Sequence, residues 1–263
     1  MSLLLRSTPT PCADLDSYRC AVALNNMGVA LLERCAYRQA LDTLKDAVVL
    51  MRGVFDSTPL SRRNQRDRAR DCTVLLEKAY HRTAHPQPAP GHSMVEILSP
   101  SGTLAAISSL LHRHGPALLP PCFPIKIENF DQEARNADLD SAMVLHNFAT
   151  AHLCLSRFAP TALRAIFLRK AALRLAKLSH QALSNVIVVY HERFLDESVL
   201  GEANLVLIAG SVLNTIVRIQ LESGQLDGAE EAYRKLRLLG SVVGDDTGTQ
   251  PAKRHSEEAA AAA

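Results

Sequence analysis

The chain has 263 residues, 47% of them hydrophobic and 21% charged, which is enough length and apolar content for one large domain or a short repeat array. Tryptophan is absent and aromatics make up only 5%, so aliphatic helix faces must supply the core and an all-α protein is expected. A formal charge of +2 gives no support to a dedicated nucleic-acid or membrane surface, and six cysteines without a C-x-x-C pair read as buried thiols of a reducing compartment, against a disulfide framework or a zinc site.

Residues 1–12 hold three leucines followed by Arg6 and two prolines, too short an apolar run for a secretory segment, and are taken as a loose leader. The stretch A-D-L-D-S occurs at Ala13 and again at Ala137, and both copies read as helix starts capped by Asp. From Leu24 to Leu44 the chain reads as two short helices broken at Cys35 and Ala36. Leu24, Met27 and Leu31 share one helix face with Gly28, whose missing side chain admits a close helix crossing, with Ala40 as the small residue expected to meet it. Ala40, Leu41, Leu44 and Ala47 form the stripe of the second helix, so the pair predicts an αα-hairpin.

Residues 55–133 interrupt that pattern. Leu60–Ala84 predicts a helix in which Asp67, Asp71 and Glu77 interleave Arg62, Arg63, Arg66, Arg68 and Arg70. His85–His92 is a loop by its prolines, and a short helix is placed at Leu104–His112. Met94–Leu98 and Phe123–Asn129 alternate in character and are placed as a small two-stranded ribbon closing the base of this insertion.

Self-similarity organises the rest. Leu24–Leu44 aligns without gaps on Leu213–Tyr233, sharing Leu-Asn, the Leu32 and Glu33 pair, the break and the following Ala. Leu145–Phe158 repeats the first helix, and its partner helix is placed at Leu168–Phe194 after an interruption containing Pro160. Asn204–Leu221 is the longest apolar stretch, but Asn214, Thr215 and Arg218 interrupt it, so a buried helix is expected rather than a membrane span. The organisation is then a helical domain over residues 13–240, with repeat one at about 21–54, repeat two at about 137–194 and repeat three at about 199–240, and a polar, disordered tail over 243–263.

Gly28, Tyr37, Ala40, Leu44 and Ala47 resemble the tetratricopeptide repeat pattern of small residue, turn, Ala and Ala, and the third copy keeps Gly224, Ala229 and Tyr233. The resemblance covers about half the chain and implies an irregular solenoid whose first helices line a concave protein-binding face. On the family's geometry the groove positions are Asn25, Val29 and Glu33, then His146, Thr150 and Cys154, then Asn214, Arg218 and Glu222. The alternative is that an insertion covers this groove or that the copies stack imperfectly. Family members that clamp chaperone carboxylates resemble one another in Lys, Asn and Arg at set positions; here Asn25, Val29, Asn147, Ser211 and Thr215 stand there, only Asn147 matches, and no such chaperone binding is expected.

No phosphate-cradling loop or hydrolase, metalloprotease or kinase signature occurs. His81 with His85, and His112 with His114, lack a carboxylate or Cys to complete a ligand set, so no metal and no cofactor are expected. The reading is a non-catalytic, intracellular scaffold, cytoplasmic or nuclear, that binds a peptide or helix of another protein. An adaptor contacting nucleic acid or an acidic partner through the arginine-rich helix at 60–84 is the alternative, and an enzyme with a site beneath the insertion is a third.

Overall fold

The computed structural model describes residues 13–55, 65–89, 122, 124–127, 137–193 and 199–245. Among them are seven helices: α1 (Ala13–Glu33), α2 (Tyr37–Phe55), α3 (Gln65–Ala84), α4 (Ala137–Ser156), α5 (Ala162–Arg193), α6 (Val199–Glu222) and α7 (Leu226–Asp245). The protein is all-α, as the aliphatic composition predicts.

Burial periodicity explains each helix. Ala40, Leu44, Ala47 and Met51 form the buried stripe of α2, and Leu168, Ala172, Ala176, Leu183 and Val186 form that of the long α5. On α7, Ala229, Ala232 and Leu236 are buried while Glu230, Glu231, Arg234 and Lys235 stay in water, pairing at i, i+4. Exposed pairs of that kind add little stability. Helices α1, α4 and α6 are instead buried on several sides, because each packs on its own hairpin partner and on neighbouring elements.

Three helix pairs follow: α1 with α2, α4 with α5, and α6 with α7. The second helix of each pair packs on the first helix of the next, α2 on α4 and α5 on α6, while α4 also touches α1 and α6. Ser179 donates to the carbonyl of Ala142 at 2.7 Å within the middle pair. Tyr37 stacks on Phe158 with ring centroids 5.6 Å apart, joining the first pair to the middle turn.

The outer turns are built alike. Cys35 and Gly224, 189 positions apart in the gapless alignment, both take left-handed backbone, with φ of 57° and 70°. Around Cys35, Ala36 N–H donates to Leu31 and Cys35 N–H to Leu32; around Gly224, Gln225 N–H donates to Gln220 and Gly224 N–H to Leu221. Both sets close the last helical turn and satisfy carbonyls that a helix end otherwise leaves open. The middle turn differs: Arg157, Phe158 and Ala159 donate three residues back, and the Thr161 hydroxyl accepts from Arg164 N–H as an N-cap. This cap starts α5 at Ala162, six residues before the expected Leu168, because Pro160 precedes the cap instead of interrupting the helix.

Helix α3 packs on α1, where the Cys20 thiol lies 3.7 Å from the carbonyl of Cys72, and Arg82 reaches Thr43 at 3.1 Å and Asp46 at 3.3 Å on α2. The expected ribbon strand at Met94–Leu98 and the helix at Leu104–His112 lie outside the described residues, as do the leader and most of the tail. Residues 124–127 of the other expected strand are described and carry no strand; their peptide groups bond to side chains of α1 and α4.

The crossing in the first hairpin also differs from expectation. Leu44, rather than Ala40, seats on Gly28, and a Cβ at position 28 would lie 2.5 Å from its Cγ. Gly28→Ala should therefore destabilise the protein by about 1–3 kcal/mol in a urea melt, and Gly28→Ala with Leu44→Ala should cost less than the sum of the two single changes. Gly224→Ala, where no atom stands in the way but φ is positive, should cost on the order of 1 kcal/mol in the same measurement.

Candidate functional site

A short non-helical segment crosses the face made by α1, α4 and α6. Asn147 on α4 holds Ile125 by both ends of its carboxamide: its Oδ1 accepts from Ile125 N–H at 2.7 Å and its Nδ2 donates to Ile125 C=O at 2.7 Å. Asn26 on α1 does the same to Ile127, accepting from its N–H at 2.9 Å and donating to its C=O at 3.0 Å. The engaged residues alternate, as in extended backbone. Between them Lys126 forms an ion pair with Glu33 at 2.7 Å, and Ile127 is buried.

The carboxamides are fixed by one another. Asn147 Nδ2 also donates to Asn25 Oδ1 at 2.8 Å, and Asn25 Nδ2 donates to Asn26 Oδ1 at 3.2 Å and lies 3.4 Å from the Ile125 carbonyl. Asn25 and Asn147 are fully buried, so these bonds meet groups that burial would otherwise leave without water. Further back along the segment, Cys122 is buried beside Thr215, Arg218 and Glu222 of α6 and Arg157 of the middle turn. Burial pushes its thiol up, outweighing the Thr215 hydroxyl and the two guanidinium groups, which favour the thiolate. The segment thus meets α6, α4 and α1 in turn, opposite to their order in the sequence.

One repeat position carries these interactions. Asn26, Asn147 and Thr215 align with one another in the three copies, two residues before the small residue of the pattern. The nine groove positions taken from the family geometry sit mostly beside this row. Val29, His146 and Asn214 are buried, and the Thr150 hydroxyl bonds to the carbonyl of His146 in its own helix at 3.0 Å. Asn25 supports the carboxamide pair and Glu33 meets Lys126. Cys154 is half-buried and its thiol is pushed up to about 12 by burial, while Arg218 and Glu222 face each other at 3.6 Å and Glu222 pairs with Arg157 at 2.6 Å. Asn26 was missed, although the alignment of Asn26 on Asn147 was visible in the sequence. Residues 122 and 124–127 lie against several of these positions, among them Asn25, Glu33, Arg218 and Glu222.

A second carboxamide hold lies at the other end of the insertion. Gln39 Nε2 donates to His85 C=O at 3.0 Å and its Oε1 accepts from Gln87 N–H at 2.7 Å, while Ala89 N–H donates to the Cys35 carbonyl at 3.0 Å.

Other candidate chemistry is sparse among the described residues. No group of three or more metal-ligating side chains occurs there, and His81 and His85 lie exposed with rings 5.0 Å apart. A depression of about 520 Å³ is lined by His152, Leu163, Arg164 and Phe167, where burial lowers the His152 imidazole to about 4 and so keeps it neutral. On α3, Asp67, Arg70, Asp71, Glu77 and Lys78 are exposed and mixed in sign; Arg62 and Arg63, and the side chains of Arg66 and Arg68, lie outside the described residues. The stretch Leu205–Glu222 of α6 is long and apolar enough to cross a membrane by length and composition, and 72% of it is buried against the rest of the protein.

Comparison of the chain with protein-family models, with curated proteins and with solved structures finds no match.

Beside the carboxamide row, the Tyr18 hydroxyl donates to Asp140 Oδ2, joining α1 to α4. Burial raises the Asp140 carboxyl from 3.8 to about 6, so the folded protein holds this proton more tightly than the unfolded chain. That contribution to stability is complete below pH 3.8 and is lost as pH rises through about 6. Asp140→Asn should remove this slope: relative to wild type, the variant should gain about 1–3 kcal/mol between about pH 4 and pH 7, read from urea melts across that range. Identical slopes would mean that Asp140 ionises in the folded protein as it does in the unfolded one.

Proposed function

We propose that this chain is a non-catalytic protein–protein interaction scaffold, an irregular tetratricopeptide-like αα-hairpin solenoid that binds a peptide of a partner protein on the face made by α1, α4 and α6. The observation that carries this reading is the pair of two-ended carboxamide bonds from Asn26 and Asn147 to the backbone at residues 127 and 125. Such bonds need free N–H and C=O groups. A helix has already spent its peptide groups internally, whereas an extended peptide offers them, so an extended partner suits this face better than a helical one.

The repeat logic supports the same reading. The outer hairpins share a turn built on Cys35 and Gly224, and equivalent positions on successive first helices aim polar groups at one face. Buried thiols with raised pKa at Cys122 and Cys154 stay protonated at neutral pH, which suits a binding surface in a reducing, intracellular compartment better than nucleophilic chemistry.

The test is selection of random displayed peptides on the full chain carrying Ile125→Pro and Ile127→Pro, which removes both segment N–H donors and frees the carboxamides. Peptides should be enriched, and Asn147→Ala in the same chain should weaken them by roughly ten-fold or more, the loss expected for a buried two-ended hydrogen bond. Absence of enrichment, or ligands indifferent to Asn147, would defeat the reading.

A further inference from the structure

We infer that residues 122 and 124–127 are a resident pseudo-ligand, and that the partner segment of this scaffold is an extended stretch of aliphatic–Lys–aliphatic sequence that binds by displacing them. This rests on the scaffold reading above and adds the ligand's chemistry and its control.

The ligand class follows from what each part of the face asks for. Asn147 and Asn26 require free peptide groups at two residues spaced by one, which fixes an extended backbone without fixing side chains. Glu33, at 2.7 Å from the Lys126 ammonium, requires a cation at the residue between them. The burial of Ile127 to 4% exposure requires an apolar side chain after that cation, and Pro124 is buried before it. Backbone bonds supply the hold, while the cation and its aliphatic neighbours supply the selection.

Control follows from how the segment is held. Its polar anchors are two carboxamides and an ion pair whose lysine is 42% exposed, a pair that solvent and salt weaken. A competing peptide can form the same bonds. The resident segment has the advantage of its tether, which gives it an effective concentration on the order of millimolar. A free segment of the same sequence is therefore excluded until the resident one is weakened, and the face is closed by default.

The experiment is fluorescence anisotropy of a labelled peptide with the sequence of residues 122–129, titrated with the full chain. Four proteins are compared: wild type, Ile125→Pro with Ile127→Pro, the single change Lys126→Glu, and Lys126→Glu with Asn147→Ala, each checked for wild-type helicity by circular dichroism. Lys126→Glu sets two carboxylates against each other at an exposed position and leaves the buried residues alone, so it serves where the double proline change disturbs folding. Both weakened chains should bind the peptide at least ten-fold more tightly than wild type, and Asn147→Ala should abolish that gain. A peptide carrying Glu in place of its Lys should bind at least ten-fold more weakly. Equal binding by wild type and the weakened chains, or binding unaffected by Asn147→Ala, overturns the inference. If the weakened chains ignore this peptide while random-peptide selection still yields Asn147-dependent ligands, the ligand class falls and the scaffold reading stands.

Discussion

A peptide group removed from water must find a partner, and the face between α1, α4 and α6 meets that requirement with carboxamides. A carboxamide carries one donor and one acceptor with the spacing of a peptide group, so Asn26 and Asn147 act as fragments of a neighbouring strand for residues 127 and 125. The cost of orienting these side chains is shared, because Asn25, Asn26 and Asn147 bond to one another before they bond to the segment. Had these positions been aliphatic, the same segment could not lie here without leaving four backbone groups unpaired.

The hairpins beneath that face follow a common construction with one departure. Cys35 and Gly224 occupy the same place in the repeat and reverse the chain in the same left-handed conformation, although only glycine takes it without strain. Cys35 is tolerated in part because Cys35, Ala36 and Tyr37 lie buried among Leu31, Ala40 and Leu44, so packing over-determines the turn. The middle hairpin replaces this turn with a longer one capped by Thr161, and it compensates by stacking Phe158 on Tyr37 of the preceding pair.

How much of this was legible depended on whether the information was local. The helix pairs, the outer turn and the closeness allowed by Gly28 could be read from periodicity and alignment. The choice of Leu44 over Ala40 at that crossing could not, since it depends on the rotation of α2 about its own axis. The family geometry selects Asn25 and His146, whereas the residues that bond the segment's backbone two-endedly are their neighbours Asn26 and Asn147. One position turns a side chain by about 100° around a helix, enough to bury His146 in the core and to leave Asn25 chiefly bracing its neighbouring carboxamides. Phe123–Asn129 looked like a strand for a good reason, since it is extended-type sequence. Its partner is invisible to any pattern search, because asparagines on two helices remote in sequence take the place of a second strand.

Gln39 holds the backbone of His85 and Gln87 just after α3, and Asn26 and Asn147 hold the backbone again at residues 125 and 127. The long connection between α3 and α4 is therefore fastened where it leaves and where it returns, chiefly through main-chain atoms. The bonds to residues 85, 87, 125 and 127 do not depend on which side chain stands at those four positions, proline excepted where an N–H donates, and closing a longer loop costs only logarithmically more entropy. The stretch between the two fastenings can thus gain, lose or exchange residues over evolutionary time without unseating the helices that border it. The bonds at residues 125 and 127 thus set where the chain returns to the helices, whatever the length of the stretch that leads there.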